Sequence, residues 1–290
     1  MLNIDLHCHS NVSDGMLPPA DVVARAAANG VHVLALTDHD DVGGIDAART
    51  AANEAGLTLI AGVEISVSWG GQTVHIVGLR IDPTHLELAA GLHAIRLGRI
   101  ERARRMGDDL AQSGIVGAYE GAYGYAVNKQ MVGRTHFARW LVDQGYAPDI
   151  RTAFRRFLTR GHPGYVEHEW TSLENAVGWI RASGGMAVVA HPGRYAFNAR
   201  ALHLLLDAFR ALGGEGIEVI TGSHHPSEYG KFADLARAFG LKASRGADFH
   251  APGEGIDIGR LPALPHYCKP VWQGWPELAP HLSLSMPEHS

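Results

Sequence analysis

Apolar β-rich runs and amphipathic helical runs alternate along most of this chain, and that alternation narrows the fold more than any other feature. LNIDLH, VHVLALTDHD, LTLIAGVEIS, QTVHIVGLRI, MAVVAHP, GIEVI and LKASRGADFH read as strands. PPADVVARAAANG reads as a helix with Pro at its start and Gly at its end, and GGIDAARTAANEAG as another closed by Gly. LENAVGWIRASGG, ARALHLLLDAFRALGG and SEYGKFADLARAFG extend the pattern. Strands alternating with helices predict parallel βαβ units, and this many predict an α/β barrel or a doubly wound sheet. One pair of strands is joined directly, by a turn at Gly70 and Gly71.

The polar residues follow these strands. His7 and His9, Asp38 and His39, Glu64, His191, and Asp248 and His250 all fall at or just past a strand's C-terminal end. In a (β/α) barrel those ends converge on one rim, where active sites sit. Five separate segments delivering Asp, Glu or His to one rim is hard to explain by solvation alone. His75 lies within its strand, where a lone histidine is ordinarily a packed core residue. In IDLHCHSNVSDG, residues two apart share a strand face, so His7 and His9 project together, with Asp5 if the strand reaches back that far. Cys8 points the other way, as a small buried hydrophobe, and Asp14 follows in a turn.

Histidine is the commonest protein ligand for metals, and there are 18 here against 25 Lys and Arg combined. His85, His93, His203, His266, His281 and His289 lie on helix-like stretches or in the tail and read as packed or solvated. Mixed His, Asp and Glu without Cys suits Mn²⁺, Zn²⁺, Fe²⁺ or Mg²⁺ rather than a soft thiolate site. Two cysteines make no disulfide framework. No basic segment followed by an apolar run opens the chain, and no apolar stretch approaches a membrane span. These features predict a cytoplasmic protein with neither a membrane nor an obligate protein partner.

An insertion interrupts the pattern. Residues 83–165 lack β-rich runs and carry helical ones, which predicts a helical cap inserted into a body made of 1–82 and 166–290. Between Arg96 and Arg160 there are 12 Lys or Arg against 6 Asp or Glu, whereas the whole chain carries −5. A basic cap over an acidic body fits an anionic substrate held above a carboxylate-rich metal site. Ordinary solvation of helix faces accounts for some of these arginines. Arg99, Arg102 and Arg105 share a helix face and could line the cap's inner side. Arg134 and His136 start a helix whose free N–H groups favour phosphate. Lys129, Arg160 and His225, with His162, are further candidate substrate contacts.

DLHCHSNVSDG, ALTDHDDVGGI, GVEIS, AHP and GADFH, in this order, resemble the signature of the PHP (polymerase and histidinol phosphatase) domain. GRTHFARWLV within the insertion resembles the stand-alone branch, whose members act as 3′,5′-nucleoside bisphosphate phosphatases or trim RNA from its 5′ end. The resemblance implies a distorted (β/α)7 barrel with a trinuclear metal site at its mouth. By that resemblance His7, His9, Glu64 and Asp248 hold one divalent ion. Glu64 bridges to a second held by His75 and His191, and Asp14, His39 and His250 hold a third. Ala247 stands where the family usually carries Ser, and Asp38 matches a position that orients rather than ligates.

The expected chemistry is metal-dependent hydrolysis of the 3′-phosphate of a nucleoside 3′,5′-bisphosphate such as adenosine 3′,5′-bisphosphate. Three divalent ions, Mn²⁺ foremost, would activate a bridging hydroxide. Asp14, His39, Glu64 and Asp248 are then catalytic through that hydroxide. Arg134 is assigned to the non-reacting 5′-phosphate. The alternative is a 5′→3′ exoribonuclease on 5′-phosphorylated RNA, whose end presents the same local chemistry; the lack of an aromatic-rich basic stripe favours the small nucleotide. A non-catalytic nucleotide- or partner-binding module is the third reading, disfavoured because all nine ligand positions are occupied.

Overall fold

The computed structural model describes residues 2–283, so His289 and the end of the 166–290 body lie outside the described residues. Seven strands form one sheet in chain order: β1 (Ile4–Asp5), β2 (Val33–Leu36), β3 (Thr58–Trp69), β4 (Gln72–Leu79), β5 (Met186–Val189), β6 (Gly216–Thr221) and β7 (Lys242–Gly246). Neighbours are parallel except at β3–β4 and β4–β5. A two-residue connection cannot return the chain to the starting end of the sheet, so β4 has to run against β3. Gly70 and Gly71 both have positive φ, 55° and 72°, as a tight hairpin of this hand requires. The purely parallel expectation fails there.

Backbone contacts between the two end strands nearly close the sheet into a barrel. Leu6 N–H donates to Arg245 O at 3.0 Å, Asp248 N–H to His7 O at 2.8 Å and His9 N–H to Phe249 O at 2.9 Å. Only a residue without a side chain fits at the seam, because a Cβ on Gly246 would lie 2.3 Å from that of His7.

Helices α1 (Pro19–Ala28) and α2 (Ile45–Ala55) follow β1 and β2, and α7 (Leu173–Ala182), α8 (Ala199–Ala211) and α9 (Tyr229–Ala238) precede β5, β6 and β7. Leu34 and Leu36 pack with Val22, Val23 and Ala48 of α1 and α2, whereas Val33 and Ala35 join Ile4, Leu79 and Val188 in a separate cluster. Period-two alternation thus sends β2 side chains to two different cores. A short α10 (Ala279–Ser283) ends the described chain, and no described helix is long and apolar enough to cross a membrane.

Between β4 and β5 run α3 (Leu86–Gln112), α4 (Ala118–Tyr125), α5 (Arg134–Asp143) and α6 (Ile150–Ala153), the last continuing as a π-helical turn over Phe154–Leu158. Met106, Leu110, Phe137, Leu141 and Leu158 form a third buried cluster within this segment. The sequence pattern does not announce α4, since AYEGAYGY carries two glycines. Tertiary packing supplies what propensity lacks: Ala118 and Ala122, one turn apart, are buried in that same cluster.

Candidate metal centre and anion pocket

The strand ends bring the sequence-predicted ligands together. Around one point, His7 Nε2 lies 3.2 Å from His9 Nε2, 3.4 Å from Glu64 Oε2 and 3.5 Å from Asp248 Oδ1. His9 Nε2 is 3.4 Å from Glu64 Oε2 and 3.2 Å from Asp248 Oδ1. Four donors bound at about 2.0–2.1 Å in a tetrahedron stand roughly 3.3 Å apart. The other oxygen of Glu64 meets His191 Nε2 at 2.8 Å and His75 Nδ1 at 2.9 Å. Asp14 Oδ1 faces His250 Nε2 at 3.3 Å and His39 Nε2 at 3.9 Å.

Single ligand atoms of His9, Asp14, His39 and His250 lie within 4.8 Å of one another, as do those of His39, Glu64 and His75. His9 and His39 therefore each reach two groupings, where the resemblance gave them one. Buried Asp14 Oδ1, Glu64 Oε2 and Asp248 Oδ1 have no hydrogen-bond partner among the described residues. Buried carboxylate oxygens left so are costly unless a cation sits between them. This donor set fits divalent metal ions.

A second layer orients these groups. Glu218 Oε1 accepts from His7 Nδ1 at 2.8 Å and its Oε2 accepts from His191 N–H at 2.6 Å. Asp38 accepts from Ser10 N–H, Ser10 Oγ and Ser13 Oγ, holding the loop that follows His9. Asp5 is turned to structure rather than to the cluster, accepting from Ala247 N–H at 2.8 Å and Gly259 N–H at 2.7 Å. Cys8 is buried with its Sγ on Ala35 O. Asp40, His191 and Asp248 adopt positive φ of 45°, 25° and 55°, so strained backbone gathers at this rim.

Burial opposes charge on all of these groups, and their neighbours decide the outcome. It would raise Glu64, yet His39, His75 and His7 hold that carboxyl well below its usual range. Asp14, also buried, is brought well below by His250 and His39, and Asp248 by His7 and the adjacent His9. Burial, aided by His250 and His39 in one case and Arg194 in the other, lowers His9 and His191 to about 3. Glu218 and Glu64 instead overcome burial to raise His7 well above its usual value, and Glu64 and Asp14 raise His39. His250 is pushed up to about 9 because Asp14 outweighs its burial. Ionised carboxylates and neutral imidazoles are the forms that bind metal.

Beside the cluster opens a cavity lined by Asp14, His39, His75 and His250 and by the four arginines Arg99, Arg102, Arg134 and Arg194. Arg99 Nε donates to Asp40 Oδ2 at 2.8 Å and its Nη2 to Ser66 Oγ at 2.8 Å. Trp170 lies under both Arg99 and Arg102, at 4.7 and 5.4 Å. Arg102 and Arg134 make no ion pair among the described residues. Burial, with Arg134 and Arg99 nearby, lowers Arg102 to about 9, and burial with Arg194 and Arg99 lowers Arg134. Cations crowded so closely favour an anion among them. The cavity continues into a groove of about 540 Å³ past Tyr165 and Arg160.

Not every candidate reaches this pocket. His136 is buried and lowered to about 4, chiefly by burial, and its Nδ1 accepts Gly133 N–H at 3.1 Å, capping α5 instead of facing substrate. Lys129 donates to Tyr123 O at 2.7 Å on the outer cap, and exposed His225 caps the turn at Pro226–Glu228. Arg160 sits at the groove's rim, paired with Glu167, and Arg105 is exposed. The structure therefore engages His136, Lys129 and His225 away from the cavity, against the expectation, and keeps Arg160 in the lining of the groove. Sequence spacing alone could not distinguish a capping histidine from a phosphate ligand. Arg194, Trp170 and Glu218 were missed. A lone glutamate inside the apolar GIEVI strand was the available signal for the last.

The PHP domain model matches residues 5–222. The chain belongs to the PHP domain family. It is 55% identical over 274 residues to a 3′,5′-nucleoside bisphosphate phosphatase of Chromobacterium violaceum, covering 94% of this chain and 96% of that one. It is 42% identical to a 5′-3′ exoribonuclease of Haemophilus influenzae, covering 93% and 97%. A solved Chromobacterium violaceum structure described as an amidohydrolase, with bound sulfate and no metal, superposes with a TM-score of 0.91 at 55% identity, covering 93% of this chain and 95% of that one. A metal-dependent phosphoesterase from Bifidobacterium adolescentis superposes at 0.79 with 28% identity, covering 88% and 92%. Both solved structures share the fold described above.

Proposed function

We propose that this protein hydrolyses the 3′-phosphate of nucleoside 3′,5′-bisphosphates to nucleoside 5′-phosphate and phosphate. The observation that carries the reading is the four-arginine cavity abutting the buried His, Asp and Glu cluster. A substrate with one phosphate at the cluster and a second among arginines matches that shape and charge. The 55% identical Chromobacterium violaceum phosphatase supports it over nearly the full length.

Three divalent ions, Mn²⁺ foremost, would be held by His7, His9, Glu64 and Asp248; by Glu64, His75 and His191; and by Asp14, His39 and His250. When bound, they supply ionised water near neutral pH and neutralise charge on the phosphoryl oxygens and leaving group. The protein's own residues do the rest. Glu218 orients the His7 imidazole, and Asp38 holds the Ser10–Ser13 loop. Arg134 holds the non-reacting 5′-phosphate, which lends binding energy to aligning the 3′ end. Arg194, whose Nη1 donates to Asp248 Oδ2 at 3.1 Å, stands on the side of the reacting phosphate. The helical segment 83–165 acts as the substrate cap, contributing Arg99, Arg102 and Arg134 from α3 and α5.

A second reading, 5′→3′ removal of nucleotides from 5′-phosphorylated RNA, draws on the groove running out past Tyr165 and on the 42% identical exoribonuclease. One product assay tests both, offering adenosine 3′,5′-bisphosphate, its 2′,5′ isomer, a mononucleotide and a short 5′-phosphorylated RNA. Phosphate release fastest from the 3′,5′-bisphosphate is expected. Turnover of the RNA alone would replace the first reading by the second.

A further inference from the structure

The cap helix α5 hydrogen-bonds to the ligand cluster at Asp14. Thr135 Oγ1 donates to Asp14 Oδ2 at 2.8 Å, and one turn later Arg139 Nη1 donates to Asp14 O at 2.9 Å. Residues four apart share a helix face, so one face of α5 grips both the carboxylate and the main chain of Asp14. The grip leaves Asp14 Oδ1, buried and without a hydrogen-bond partner among the described residues, turned toward His250 and His39. Arg134, which lines the anion cavity, is the residue immediately before Thr135. Without the cap, Asp14 sits in a turn with no strand to hold its side chain.

We infer that Thr135 is a positioning residue that couples anion binding in the cap to metal binding at the Asp14, His39 and His250 group. An anion drawn to Arg134 steadies the first turn of α5. Thr135, in that turn, then holds Asp14 in the rotamer that presents Oδ1. The converse must also hold: an ion drawing on Asp14 Oδ1 fixes Asp14 Oδ2 under Thr135 and so steadies the anion pocket, because coupling between two binding equilibria is reciprocal. The inference rests on the proposed function only for placing a nucleotide phosphate at Arg134.

Mn²⁺ titration of the demetallated full-length protein by calorimetry, with and without adenosine 5′-monophosphate, tests it. The parent should bind its weakest Mn²⁺ several-fold more tightly when the nucleotide is present. Thr135→Val, which keeps the shape and deletes the hydroxyl, should weaken that one ion by about 10- to 100-fold, the range typical for loss of a ligand's supporting hydrogen bond. It should also abolish the nucleotide effect, and Thr135→Ser should restore both. If Thr135→Val does not fold, Arg139→Met removes the second hold on Asp14 and should weaken the same ion. Parent-like affinity for every ion in the folded variant, or a nucleotide effect that survives it, overturns the inference. These outcomes are read without turnover, so a failed product assay would bear on the proposed function and leave this result standing.

Discussion

Glu218 ties two histidines of the cluster to each other: one carboxylate oxygen accepts from His7 Nδ1 at 2.8 Å and the other from the His191 backbone N–H at 2.6 Å. The first contact engages His7 Nδ1 and so turns Nε2 toward Glu64 and Asp248, the nitrogen that a metal ion there would bind. The second steadies His191 in its strained left-handed conformation. Glu218→Gln should therefore reduce metal affinity by about 10- to 100-fold with little change in fold, since outer hydrogen bonds of this kind carry that weight. Metal content after dialysis against a weak chelator reads the effect. An unchanged metal content would mean that the carboxylate only fills space.

Glu64 stands among five imidazoles, with His7, His9 and His39 about one oxygen and His75 and His191 about the other. Glu64→Gln is expected to empty two sites and to cut turnover by more than about 100-fold. His39→Ala is expected to release fewer ions. Elemental analysis of the two variants side by side decides the point, and equal retention in Glu64→Gln and the parent would remove its bridging role.

Arg134 makes no ion pair among the described residues and faces the cavity, so its charge is available to a ligand. Arg134→Ala should lose about 10- to 100-fold in kcat/KM on the 3′,5′-bisphosphate, the worth of one charge-assisted contact. It should lose about threefold or less on a nucleoside 3′-monophosphate, and Arg134→Lys should recover part of the loss. Equal proportional losses on both substrates would put Arg134 at the reacting phosphate instead.

The demetallated protein should have a pH signature. His250 has a folded pKa of about 9, above its unfolded value near 6.5, because Asp14 outweighs its burial. Its stabilising contribution is thus complete below about pH 6.5 and is lost as pH rises through about 9. Melting temperatures across that window should fall by several degrees in the parent and less in His250→Gln. Metal binding near neutral pH should also release protons, measurable by calorimetry in two buffers of different ionisation enthalpy. A flat profile in the parent would contradict the His250–Asp14 ion pair.

Gly246→Ala tests the barrel seam. The added methyl would sit 2.3 Å from His7 Cβ, so either β7 or the His7 segment must shift. Overpacking of this sort costs about 1–3 kcal/mol. A melt lowered by several degrees is expected, with weaker metal binding because His7 moves with the strand. A parent-like melt would show that the seam has slack.

The sequence by itself determined the class of this protein. Period-two and period-3.6 patterning placed all seven strands and the helices around them, and most of the candidate ligands stood at strand ends, because both signals are local and repeat over a few residues. It marked a helical, positively charged run between the strands that became β4 and β5 for the same reason. Only the tertiary structure decided which members of those sets meet. His136 and Arg134 lie two residues apart at the same helix start, yet one turns inward to cap Gly133 and the other faces the cavity. Glu218 is one charge in an apolar strand until β6 is set between β5 and β7, which puts it against His7, 211 residues away. Arg194 and Thr135 gain their meaning only through Asp248 and Asp14, each contributed by a distant segment. Contacts between segments so far apart leave no periodic trace, so chain closure and packing, rather than spacing, chose these partners.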